Sequence, residues 1–126
     1  MRIFKSNFFH KFAQKEQISD NLLCQVVENV QQGLIDADLG GGVLKQRIPR
    51  QGQGKSGGYR SIIFYKTERF CVFAYCYAKS TRSNITQSEL QGFKESAKEL
   101  FELTDSQIQQ FIQRKMLIEI ERKDHD

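Results

Sequence analysis

Apolar residues alternate between two periods along this chain. Ile3 and Phe4 in Met1–Lys5 suggest a short strand, and Phe8, Phe9 and Phe12 follow at roughly helical spacing. From Ser19 to Gln32 the period is helical: Leu23, Val26, Val27 and Val30 form one stripe, and Gly33 suits its end. "DADLGGG" (36–42) reads as a turn or mobile loop, with Asp36 and Asp38 solvated because no third ligand lies nearby. Three strand patterns come next. Val43–Ile48 alternates, placing Lys45 and Arg47 on one face and Leu44 and Ile48 on the other. "YRSIIFYK" (59–66) is the second. "FCVFAYCYA" (70–78) is almost continuously apolar or aromatic, as expected of a central strand buried on both faces. "KTER" is short enough for a hairpin, so the three strands form an antiparallel meander.

The end of the chain returns to helix. Thr86 with Glu89 and Thr104 with Gln107 each have the spacing of a capping box. Leu90, Phe93, Ala97, Leu100 and Phe101 supply the first apolar stripe, and Ile108, Phe111 and Ile112 the second. "MLIEI" (116–120) can close the sheet. The expected fold is α+β in a single domain over residues 1–126. It has a small antiparallel sheet, mixed at its edge, with N-terminal and C-terminal helices packed on one side.

Composition narrows the class. With 126 residues, 39% hydrophobic and 27% charged, the chain suits one soluble globule. No apolar run approaches the roughly 18 residues of a membrane span. "MRIFKSNFFHKF" lacks a signal peptide's apolar core, so a cytoplasmic location is expected. The three cysteines cannot all pair; Cys71 and Cys76, five apart in one strand, are expected on opposite faces as small buried residues. His10 and His125 are too few and too scattered for a metal cluster, and no cofactor is expected.

Charge changes the picture more. The net charge is +4, but residues 43–85 hold nine cations against Glu68 alone, a local +8 flanked by two mildly acidic segments. Such a block is the electrostatic footprint of a polyanion-binding surface. At its centre lies "RQGQGKSGGYR" (50–60). It is not a nucleotide-binding P-loop: Gly54-Lys55-Ser56 would require glycine at position 49, where Pro49 stands, and a strand follows rather than a helix.

The stretches "GGVLKQRIPRQGQGKSGGYRSIIFY" and "VFAYCYAKSTRSNI", with this order of elements, resemble the RelE toxin superfamily, which includes the HigB and ParE branches. The resemblance spans about residues 40 to 120. It implies a toxin of a type II toxin–antitoxin pair, neutralised by a cognate antitoxin, often of helix-turn-helix type. The RelE and HigB branches imply a small ribonuclease cutting mRNA on the ribosome; the ParE branch implies a gyrase-binding toxin without nuclease activity. A catalytically weak RNA-binding module is a third reading. Substituting the basic residues discriminates, since a gyrase binder would keep its toxicity.

RNA carries its own nucleophile, the 2′-OH. Cleavage then needs a base, cations around the phosphorane, and an acid or solvent at the 5′-oxygen, which converging Lys and Arg can supply without metal. The family's basic residues on the first meander strand fall on Lys45 and Arg47. Lys45 takes the role of base, its neutral form favoured by the like charges of Arg47 and Arg60. The family's Gly-Tyr-Arg falls on Gly58-Tyr59-Arg60, with Arg60 clamping the scissile phosphate. Its basic segment after the central strand falls on Lys79, which orients RNA, and Arg82, which binds phosphate or structures the turn. Arg50, Lys55 and Tyr59 join Arg82 as expected RNA contacts. Ser80 stands where the family commonly carries a catalytic arginine, and Thr86 where RelE itself carries a tyrosine; Tyr75 or Tyr77 is the available stacking ring. The basic surface also suits an acidic antitoxin.

Overall fold

The structure is a computed structural model that describes residues 1–50 and 54–121, the side chains of 54–56 excepted. Its elements run β1 (Arg2–Ser6), α1 (Asn7–Glu16), α2 (Asp20–Gln31), β2 (Ala37–Asp38), β3 (Val43–Arg50), β4 (Gly54–Lys66), β5 (Phe70–Ala78), α3 (Gln87–Phe101), α4 (Asp105–Gln113) and β6 (Leu117–Ile120). The strands form one sheet in the order β2-β3-β4-β5-β1-β6. β1 runs parallel to β5, and every other neighbouring pair is antiparallel. The class is α+β, and the meander β3-β4-β5 is present as the alternation predicts.

Local chemistry sets the boundaries. Ser6 and Ser19 cap α1 and α2, their hydroxyls accepting from the backbone N–H of Phe9 at 3.0 Å and of Leu22 at 3.1 Å. Both expected capping boxes form: Thr86 with Glu89 opens α3, and Thr104 with Gln107 opens α4. Gly42 adopts φ +80°, and a Cβ there would stand 2.4 Å from the Phe101 ring, so only glycine lets β3 start beneath α3.

The helices do not share one side of the sheet as the sequence suggested. Phe9, Ala13, Leu23, Val26, Val27 and Val30 of α1 and α2 pack against Ile3, Leu44, Ile48, Ile63 and Phe73. Ala97, Leu100 and Ile108 of α3 and α4 pack against Phe4, Val43, Ile62, Phe64 and Val72. Consecutive strand residues point to opposite faces, so the adjacent apolar pairs Ile3–Phe4, Val43–Leu44 and Ile62–Ile63 present oil on both faces, and each needs its own cover.

A second correction concerns the cysteines. The pairing of β4 with β5 steps from Ile62↔Tyr75 to Ile63↔Phe73, leaving Ala74 as the extra residue of a β-bulge. The bulge shifts the alternation by one, so Cys71 and Cys76 both face α1 and α2. Both thiols are buried and free. Burial pushes Cys71 far up and Cys76 up to about 12, which leaves them unreactive. The sequence also reads residues 36–42 as a turn or mobile loop. Ala37–Asp38 instead forms the two-residue edge strand β2, paired with Leu44 and Lys45. Asp36 and Asp38 are exposed but not simply solvated, since their carboxylates accept from the backbone N–H of Arg47 at 2.7 Å and of Gly40 at 2.9 Å.

Candidate nucleic-acid interface

The face that α3 and α4 cover turns cationic at one end of the meander. On β3, Val43 of the second core is followed at two-residue steps by Lys45 and Arg47. On β4, Phe64 and Ile62 are followed by Arg60. Register aligns them into two rows across three strands: Lys45–Ile62–Tyr75 and Arg47–Arg60–Tyr77. Strands lie about 4.8 Å apart, so Arg47 and Arg60 are direct cross-strand neighbours of like charge. Arg47 is exposed, Lys45 half-buried, and Arg60 only 8% exposed. One Arg60 guanidinium N–H donates to the Tyr59 carbonyl at 3.4 Å.

Tyr77 completes the second row. Its ring is buried, and its hydroxyl has no hydrogen-bond partner among the described residues. Burial raises its pKa, against the opposing influence of Arg60 and Arg82. Tyr75 is half-buried, with ring centroids 5.0 Å from Phe8 and 5.6 Å from Phe93. It therefore offers the less enclosed of the two rings.

The connection from β5 to α3 adds the remaining residues. Lys79 is exposed, and its N–H donates to the Gly58 carbonyl at 3.3 Å, prolonging the β4–β5 pairing. Arg82 lies over the Tyr77 ring, 5.4 Å from its centroid. It donates to both carboxylate oxygens of Glu89, at 2.5 and 3.1 Å, to the Tyr75 hydroxyl at 3.3 Å and to the Asn84 carbonyl at 3.0 Å. The ion pair holds the Glu89 carboxyl down at about 2 and raises the guanidinium of Arg82. Of the two roles the sequence offered Arg82, these contacts favour structuring the turn. Thr86, standing where RelE itself carries a tyrosine, is the N-cap of α3.

Two expected RNA contacts lie elsewhere. Tyr59 precedes Arg60 by one residue and faces α1 instead. It is buried there, donating from its hydroxyl to Glu16 at 2.9 Å. Burial, then that hydrogen bond, raises its pKa. Arg50 follows it, 5.5 Å from the Tyr59 ring centroid and 4.0 Å from Glu16. Together with Lys15, Ile18, Leu22 and Pro49 they line a cavity of about 570 Å³ on that side. The Lys55 side chain lies outside the described residues. The structure thus gathers Lys45, Arg47 and Arg60 on one face, with Arg82 reaching it through the Tyr75 and Tyr77 rings, and places Tyr59 and Arg50 on the other. Asn84 and Glu89, which drew no functional notice in the sequence, join the gathered set; the only sequence signal was Glu89's place in a capping box.

The family model for the RelE toxin of the RelE/RelB toxin–antitoxin system matches residues 1–120. The chain belongs to the RelE toxin family. No curated protein matches it. As a RelE-family toxin it has a cognate antitoxin as partner. Among the described residues, no helix is long and apolar enough to cross a membrane.

Proposed function

We propose that this RelE-family toxin is a metal-independent mRNA endoribonuclease acting on ribosome-bound message in the cytoplasm. The observation that carries this reading is the convergence of Lys45, Arg47 and Arg60 on one sheet face. Two arginines in direct register can each hold one of a phosphate's two non-bridging oxygens when it sits between them. In the reaction, Lys45 takes the proton of the ribose 2′-OH as the 2′-oxygen bonds to phosphorus. Arg60 and Arg47 hold the non-bridging oxygens while charge accumulates on them. The bond from phosphorus to the 5′-oxygen breaks, and that oxygen takes a proton from solvent. The products are a 2′,3′-cyclic phosphate and a 5′-hydroxyl. Lys79 orients the RNA from the rim, and Tyr75 stacks on a base. Lys55 adds a phosphate contact that weakens with salt.

An antitoxin of helix-turn-helix type covers this face with acidic residues, which both neutralises the cations and blocks RNA. Purified toxin added to programmed ribosomes tests the reading. Cleavage by the wild type that falls at least a hundredfold in Lys45→Ala and Arg47→Ala is expected, since a general base contributes about 10²–10⁴-fold and one donor to the developing charge about 10²–10³-fold. Intact message together with inhibited gyrase supercoiling would move the assignment to the ParE branch.

A further inference from the structure

Arg82 has five N–H donors. One goes to the Asn84 carbonyl, and three more reach Tyr75 and both oxygens of Glu89. The guanidinium is therefore engaged with its own chain, and its work is to tie the β5–α3 connection to the first turn of α3. Glu89 has a second fixed contact there, accepting the backbone N–H of Thr86 at 2.8 Å as the capping box requires. From that connection Asn84 reaches back to β3. Asn84 Oδ1 accepts the backbone N–H of Ile85 at 2.8 Å, and the same oxygen accepts from Lys45 Nζ at 3.3 Å. Its two lone pairs are thus divided between a local bond that fixes the side chain and a cross-chain bond that fixes the lysine.

We propose that Asn84 is a positioning residue for the Lys45 amine, held in place by the Arg82–Glu89 pair. This rests on the reading of Lys45 as the base. The choice of amide is informative. An amide oxygen locates the amine through a hydrogen bond without adding a negative charge that would favour the ammonium form. The charged and titratable groups on the elements neighbouring Lys45 are Arg47 on its own strand, Asp36 and Asp38 flanking its β2 partner Ala37, Arg60 on β4, Tyr75 and Tyr77 on β5, Lys79 and Arg82 in the connection, and Glu89 on α3, paired with Arg82. A carboxylate at position 84 would add a negative charge beside the Lys45 amine. Asn84→Asp is therefore the decisive variant, because it keeps an acceptor for Ile85 N–H and hence the turn.

The experiment compares wild type, Asn84→Asp and Asn84→Ala in cleavage of ribosome-bound message across pH, with thermal melting as the check on folding. It also follows the Lys45 15Nζ resonance by NMR. For Asn84→Asp, cleavage near neutrality is expected to fall roughly fivefold, the scale of an exposed ion pair, and to recover as pH rises. For Asn84→Ala, kcat falls with KM unchanged. A wild-type pH profile in Asn84→Asp would overturn the proposal, as would an effect of Asn84→Ala on KM alone. If the wild type itself does not cleave, the nuclease reading fails, and the NMR arm decides the contact separately: a Lys45 resonance unmoved by Asn84→Ala overturns the positioning role.

Discussion

Arg47 and Arg60 face each other across β3 and β4. Replacing Arg47 by glutamine keeps a polar side chain, shorter than arginine's, and removes one of the two charges. Like charges directly opposite in a sheet cost about 0.2–1 kcal/mol. Coulomb's law for charges about 5.5 Å apart in water gives about 0.75 kcal/mol, in the same range. Arg47 is exposed and can swing its guanidinium into solvent, so the lower half of that range applies, about 0.5 kcal/mol. For a chain of this length that is a rise in Tm of about 2 °C. The assay is thermal unfolding of wild type and Arg47→Gln by circular dichroism at low salt and again at 1 M salt, where screening falls to about 3 Å and the gain should vanish. RNA binding should weaken in the same variant, with the slope of log affinity against log salt reduced by about 0.7 for one lost phosphate contact on a single strand. A variant less stable than wild type, or a gain that persists at 1 M salt, would refute the claim that the two charges repel across the strands.

Other consequences are as direct. Tyr59→Phe removes the hydrogen bond to Glu16 and should cost about 0.5–1.5 kcal/mol in urea unfolding, yet leave RNA cleavage unchanged, because the ring lies on the opposite face from Arg60. Glu89 titrates at about 2 in the folded chain against 4.5 ordinarily, so its stabilisation is present above about 4.5 and lost as pH falls toward 2. Acid titrations of wild type and Glu89→Gln should therefore differ most above pH 4.5 and converge near 2, with the capping box kept by glutamine. Cys24, half-buried, should react with a thiol reagent in the native protein well before Cys71 and Cys76, whose modification should wait for unfolding.

Much of this architecture was legible because it follows from period and capping. The alternation over Val43–Ile48 placed Lys45 and Arg47 together, and the two capping boxes opened α3 and α4 where expected. The misreadings have specific physical sources. The bulge at Ala74 arises from pairing between strands, which one strand's sequence does not display, so Cys76 was assigned to the wrong face. Apolar pairs on consecutive strand residues signal two cores, and a strand buried on both faces, as 70–78 reads, already needs cover on each side, which helices on one side alone do not supply. Tyr59 is different: adjacent strand residues point opposite ways, and treating Gly-Tyr-Arg as one block hid that Tyr59 and Arg60 part company. The site's connecting residues were the hardest to see. Asn84 reaches Lys45 across 39 positions of sequence, a contact that exists only once Arg82 and Glu89 have folded the turn back onto the sheet.

Arg60 sits at the centre of the cationic rows, and expression of wild type and Arg60→Ala in growing cells, with mapping of mRNA 5′ ends, tests the account most directly. Growth arrest with codon-phased cuts in translated regions, both lost in Arg60→Ala, is the predicted result. Growth arrest with intact message, or cuts that persist without Arg60, would contradict it.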